Sequence, residues 1–272
     1  MNKKTHMWTV LGISVALLHI IPFYILLTTS FKKESDSSSK WTFPDYVDFS
    51  NFSDAWVQAN MGTAIFNNVV ITVISISLLI VLGSLAAYPL ARVASKLNRF
   101  MYIAFVAIMI VPPLTILVPL YKFIVDIGGM NTIWAVVLVH ISFWMPLTIF
   151  LYTGFIRSTI PKELDESAMI DGANRFQIFF RIIFPLLKPV TASVIIITGM
   201  FVWNDYQFSV FFLQETEAQT ITVALSKFFS QYSNDVGLVA AGSLIGMLPM
   251  VVLFLFLQKY FIQGLASGSV KG

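Results

Sequence analysis

Long apolar runs separated by short polar stretches set the pattern of this chain. Six runs reach the roughly 20 mostly apolar residues that a helix needs to cross a bilayer. They lie near 8–29, 67–91, 100–121, 132–156, 188–213 and 236–258. The first sits in an uncharged stretch, residues 5–31. That is longer than the apolar core of a secretory signal peptide, and "IPFYILLTTS" lacks an A-x-A cleavage pattern, so it reads as a retained span. The third contains "VPPLTILVP", with Pro112, Pro113 and Pro119. Proline removes backbone donors, so this span is expected to kink or break where neighbouring helices or a cavity satisfy the freed carbonyls. The last run is uncharged from Val236 to Gln258.

One stretch breaks the pattern. "PKELDESAMIDGANRFQIFFRIIFPLLKP", residues 161–189, is dense in acids, bases and amides. It parses as two short helices. Pro161 suits a first helical turn, and Glu163, Asp165 and Glu166 suit the positive end of a helix dipole. Leu164, Ser167, Ala168 and Asp171 share a face at i, i+3, i+4 and i+7. Gly172 is a helix stop. Phe176, Phe179, Phe180, Ile183 and Phe184 then form an apolar stripe at helical spacing, which Pro185 ends. Two readings fit such a pair. It packs along the membrane surface under the bundle, or it docks into a groove on a partner.

Composition sharpens the picture. Of the 272 residues, 57% are hydrophobic and 11% charged. Soluble domains carry roughly 25% charged residues, so this chain is expected in a membrane. It has no cysteine, which excludes disulfides, thiolate metal sites and cysteine nucleophiles. A net charge of +3 without a basic tract argues against nucleic acid as a partner. Six spans put both termini on one side. The termini and the loops after the second and fourth spans hold twelve of the 17 Lys and Arg, so by the positive-inside rule that side is cytoplasmic. The fold class expected is all-α: a polytopic membrane protein of six transmembrane helices.

The stretch at 161–189 resembles the coupling-loop signature of binding-protein-dependent ABC importer permeases: E-A-A, three residues, G, nine residues, I-x-L-P. Here Glu166-Ser167-Ala168 precede Gly172, and nine residues separate Gly172 from Ile182, followed by Phe184-Pro185. Ser replaces the first Ala and Phe replaces Leu. "AAYPLARVASKLNRF" (86–100), "VPLYKFIVDIGGMNT" (118–132), "WNDYQF" (203–208) and the last 33 residues (240–272) also resemble the carbohydrate branch, in the family order. The similarity is to the second, six-span permease of the maltose type.

The resemblance implies a division into an N-terminal helix (1–30), an extracytoplasmic loop (31–66), a core (67–260) with its cytoplasmic coupling loop at 157–188, and a cytoplasmic tail (261–272). It implies a bacterial inner-membrane subunit importing a sugar or oligosaccharide, with glycerol phosphate or another polyol as the runner-up cargo. It also implies a homologous permease, two ATPase subunits and an extracytoplasmic sugar-binding protein as partners. No catalytic or metal site and no bound cofactor are expected, since ATP and Mg belong to the ATPases. This chain lacks a G-x-x-x-x-G-K-[ST] phosphate loop. Glu166, Ser167, Ala168, Asp171, Gly172, Ile182 and Pro185 would couple to the ATPase. Tyr121, Trp144, Trp203, Asn204 and Asp205 are candidates for the substrate path.

Asp205 stands out because a central intramembrane Asp costs roughly 2.5–3.5 kcal/mol on insertion scales. It is expected either to face a cavity, where its aromatic and amide neighbours suit sugar hydroxyls, or to sit in an interhelical hydrogen-bond cluster. Gly242 and Gly246 read as a close helix crossing. Trp41, Phe43, Phe49, Phe52 and Trp56 read as an aromatic belt, a small surface helix or a contact for an external binding protein. An intramembrane enzyme would need a nucleophile elbow, an H-E-x-x-H or a matched pair of membrane aspartates, none of which occurs. A secondary transporter would usually show paired intramembrane charges and an internal repeat.

Overall fold

A computed structural model describes residues 3–232 and 235–269. Among these residues, four helices are each long and apolar enough to cross a membrane: α1 (Lys3–Ser30), α3 (Met61–Arg92), α6 (Ile133–Thr159) and α13 (Val236–Ser269). Two bent pairs bring the number to six if each counts as one span. The shorter helices are α2 (Ser50–Gln58), α4 (Lys96–Ile108), α5 (Leu117–Asp126), α7 (Glu163–Ile170), α8 (Arg175–Ile178), α9 (Phe184–Leu186), α10 (Lys188–Trp203), α11 (Ser209–Phe212) and α12 (Ile221–Gln231). No strand occurs among the described residues.

The third span breaks where its prolines require. α4 stops at Ile108, and the segment from Pro113 to Asp126, a 3-10 turn followed by α5, leaves at 93° to it. Neither Pro112 nor Pro113 can donate to the preceding turn. Met109, Ile110 and Val111 instead tighten onto carbonyls three residues back, at 3.0–3.2 Å. Thr115 Oγ1 and N–H both donate to Pro112 O, at 2.7 and 3.1 Å, and satisfy a carbonyl the break exposes.

The fifth span is shorter than expected. α10 ends at Trp203, and at 1.5 Å per residue its 16 residues rise only about 24 Å. The expected run to 213 is interrupted at residues 204–208, after which α11 forms a separate turn. Before α10, helix 175–186 joins at 71°. The last helix is longer than expected. α13 continues to Ser269, through most of the predicted 261–272 tail, whose residues 270–272 fall outside the described residues.

The chain divides into two compact units. One comprises residues 1–65 and 221–248. Every side chain of α1 from 6 to 24 is exposed, as befits a helix whose apolar surface has lipid or another subunit for solvent. Its C-terminal end is anchored: Thr28, Thr29, Ser30 and Lys32 are buried. Lys32 Nζ donates to Ser38 Oγ at 2.6 Å and to Ser39 O at 2.7 Å, and Asn51 Nδ2 bonds Ser30 O and Lys32 O. Phe31 packs on Phe43, Phe49 and Phe52, so three of the five outer-loop aromatics flank one ring, and α2 is the small helix among them. In the same loop the Ser38 hydroxyl, then Tyr46, hold Asp36 down at about 2. Gly242 and Gly246 face α12. A Cβ on either would come within 2.9 Å of Met61 Cε or Leu225 Cδ1, the ends of side chains that can yield. Gly237 has no such freedom, because a Cβ there would sit 2.8 Å from the Lys32 carbonyl and 2.7 Å from Asn51 Nδ2. Gly237→Ala is expected to destabilise this unit by about 1–3 kcal/mol through overpacking, read as a lower melting temperature in detergent.

The other unit comprises residues 66–220 and 249–272. Its core forms two clusters toward opposite ends of α3, α6 and α10. One contains Ala87, Tyr152, Ile156, Val190 and Val194 together with Ala168, Ile178, Phe179 and Ile183 of the 161–189 stretch. The other contains Ile71, Val136, Val139, Val202, Phe208 and Phe212.

Candidate functional site

The 161–189 stretch folds as two helices split at Gly172. Gly172 has φ +82°, a conformation that favours glycine. The Ala173 N–H bonds Ala168 O at 2.9 Å and the Gly172 N–H bonds Met169 O at 3.0 Å, the paired bonds that close a helix C-terminus on a left-handed residue. The next helix starts with a reciprocal cap. Asn174 Oδ1 accepts from the Gln177 N–H and Gln177 Oε1 accepts from the Asn174 N–H, both at 2.9 Å.

The expected stripe does not form one face. Phe179 and Ile183 are buried, but Phe176 and Phe180 are exposed and Ile178 takes a place in the core. The cause is a π turn over Phe179–Ile183, which shifts the register midway. Pro185 does not end the helix either. It lies in the first turn of α9, where its missing donor costs nothing. On α7 the buried residues are Asp165 and Ala168, while Leu164, Glu166, Ser167 and Asp171 are exposed. Ile182 is half-buried. The surface left open includes Met169, Ile170 and Phe176, apolar side chains that a second protein would cover.

Asp165 is the residue sequence reasoning passed over. Its Oδ1 accepts from the Tyr88 hydroxyl at 2.5 Å, and its Oδ2 lies 2.8 Å from Arg92 Nη2. Arg92 also donates to Ile160 O and Pro161 O, at 3.0 and 3.1 Å. Arg157 of α6 donates in return to Leu90 O of α3 at 2.8 Å, and its guanidinium lies over the Tyr102 ring. The signal was present as Tyr88 and Arg92, four residues apart at the basic end of the second span. Nothing in the sequence singles out Asp165 from Glu163 and Glu166. Beside this cluster lies a cavity of about 370 Å3, lined by Leu85, Tyr88, Arg92, Met169 and Phe179 among others.

The candidate path residues do not line one cavity. Trp144 stacks on Phe201, centroids 4.2 Å apart, and borders a cavity of about 530 Å3 between the bent third span and α6. The side chains around that cavity are apolar apart from Ser142, whose hydroxyl is turned back to Leu138 O. It suits a hydrocarbon rather than a hydroxyl-rich solute. Tyr121 stacks on Phe212. Trp203 is buried, its carbonyl accepting from Asn68 Nδ2 at 3.1 Å, and Asn204 folds back onto Met200 O.

Asp205 lies beyond the end of α10 and organises the turn into α11. Its Oδ1 accepts from the Phe208 N–H at 3.1 Å, and its Oδ2 accepts from the Ser209 N–H and hydroxyl at 3.0 and 2.7 Å. His140 Nε2 lies 3.7 Å from Oδ2. The hydrogen-bond-cluster reading of Asp205 therefore describes its surroundings. His140, one of three scattered histidines in the sequence, belongs to the same cluster. Among the described residues no group of acids and histidines could hold a metal ion.

Residues 79–267 match the family described as "Binding-protein-dependent transport system inner membrane component". The melibiose/raffinose/stachyose import permease protein MelC of Bacillus subtilis is 56% identical over 271 residues, covering 100% of this chain and 98% of that one. The probable starch degradation products transport system permease protein AmyC of Thermoanaerobacterium thermosulfurigenes is 33% identical, over 99% and 98% of the two chains. The crystal structure of a bacterial ABC transporter involved in import of the acidic polysaccharide alginate superposes with a TM-score of 0.77 at 19% identity, covering 96% of this chain and 99% of that one. At that identity the likeness concerns the fold.

Proposed function

The chain belongs to the family of binding-protein-dependent transport system inner membrane components, and on that premise we propose that it is a permease subunit importing an oligosaccharide of the melibiose–raffinose type. The observation that carries the cargo is the 56% identity, end to end, with a permease named for melibiose, raffinose and stachyose. Glycerol phosphate or another polyol is not favoured, since the two curated relatives above are named for sugars or starch products. The exposed apolar side chains of the 161–189 helices fit a docking surface for an ATPase, with Glu166, Ser167, Ala168, Asp171, Gly172, Ile182 and Pro185 belonging to it. Hydrolysis takes place on the partner subunits. The spans rock between two states biased by nucleotide.

The experiment is a gentle-detergent purification of the tagged chain from its native membrane, followed by reconstitution and uptake of labelled raffinose. The expected result is a second permease and an ATPase in the eluate, with raffinose uptake that needs ATP and a binding protein. A chain that purifies alone from cells expressing such an ATPase overturns the proposal. Orientation has its own test, made simple by the absence of cysteine. In right-side-out vesicles Lys40→Cys is expected to label with an impermeant maleimide, and Asn174→Cys only after the membrane is opened. The reverse pattern would invert the topology.

A further inference from the structure

We propose that Asp165, held by Tyr88 and Arg92, is the positioning residue that carries displacement of α7 into α3 and α6. The inference deepens the transport reading and rests on it. α7 has eight residues, and only Asp165 and Ala168 are buried along it. Ala168 offers a single methyl. The cavity of about 370 Å3, bordered by Leu85 and Arg92 on one side and Met169 on the other, keeps apolar packing from filling the space between α7 and α3. The firm contact is polar. It runs from Asp165 to the Tyr88 hydroxyl and the Arg92 guanidinium, with the two charged side chains only 10% and 9% exposed.

The receiving end is braced. Arg92 of α3 satisfies the carbonyls of Ile160 and Pro161 just past α6, and Arg157 of α6 satisfies the Leu90 carbonyl of α3. Each helix thus supplies the cation that the other's terminal carbonyls call for. A push on Asp165 meets two helices already tied together. Removing one partner of a buried ion pair strands the other charge, so the contact resists being pulled open.

The test uses the whole complex in proteoliposomes, with labelled raffinose and ATP consumption measured together. In assembled complexes Asp165→Ala and Arg92→Ala are each expected to lower raffinose moved per ATP on the order of ten-fold, within the range of energetic couplings. The double variant should be no worse than either single one, because both remove the same link. Asp165→Glu should restore part of the ratio. Should Asp165→Ala fail to assemble, Asp165→Asn gives the same reading, since it keeps an acceptor for Tyr88 and loses the charge that faces Arg92. A purely structural role would reduce recovery of complex but leave raffinose per ATP unchanged, and that result overturns the inference. A wild-type complex without ATP-driven uptake overturns the transport reading and this inference with it. Wild-type uptake with an unchanged ratio in the variants overturns this inference alone.

Discussion

Gly172→Pro is expected to abolish raffinose uptake while leaving the chain in the membrane. A proline ring fixes φ near −65° and cannot reach the +82° of Gly172. It also removes the N–H that bonds Met169 O and disfavours the helical conformation of Asp171 before it. The paired bonds that close α7 are therefore lost and the helix no longer ends where it does. A penalty of about 3 kcal/mol, typical for a misplaced proline, lowers the population of the folded loop about a hundred-fold. The spans and their cores lie outside the loop, so insertion should persist. Membrane yield, ATPase recovered on the tag and uptake are the three readings. Uptake at the wild-type rate would show that the geometry at Gly172 is dispensable. Glu166→Lys is a milder probe of the same surface, because Glu166 is exposed and makes no demand on the fold.

Asp205→Ala should have an effect of similar size by another route. Three donors, two from the backbone and one from Ser209, converge on this carboxylate. Hydrogen bonds to a charged group contribute about 1.5–3 kcal/mol each, so their loss frees α11. α11 carries one end of an aromatic column. Phe143 stacks on Phe208, Phe208 neighbours Phe212, and Phe212 stacks on Tyr121, which links α6, α11 and α5. Transport is expected to fall by at least about ten-fold, one unit of 1.4 kcal/mol being enough. Asp205→Asn, which keeps one acceptor oxygen, should retain more activity than Ala. Equal losses in the two would shift the role of Asp205 from capping to charge.

The spans were readable because apolar length is a one-dimensional property. Pro112 and Pro113 gave away the break in the third span, since a missing donor is visible in the sequence. The end of α10 was not readable by the same measure. Residues 204–213 remain apolar enough to extend the run, and what stops the helix is a side chain, Asp205, turning back on the backbone ahead of it. The stripe at 176–184 misled for a related reason. A 3.6-residue period is the right ruler for an α-helix, and the π turn at 179–183 changes the ruler midway. The signature residues were legible as a pattern, but which acid is buried was not. Asp165 and Glu166 are adjacent, and only the position of Tyr88 and Arg92 across the fold selects the first.

The π turn also fixes a length. A five-residue turn of this kind holds one residue more than the α-helical path it replaces. Deleting one residue from 179–183 would restore an unbroken α-helix, at the cost of rotating everything beyond it by about 100° and drawing it in by about 1.5 Å. Val190 and Val194 would swing away from Tyr152 and Ile156, and the polar stretch would lose its registration with the bundle. The spacing from Gly172 to Pro185 is in this sense a gauge, which tolerates exchange of side chains far more readily than a change of one in their number.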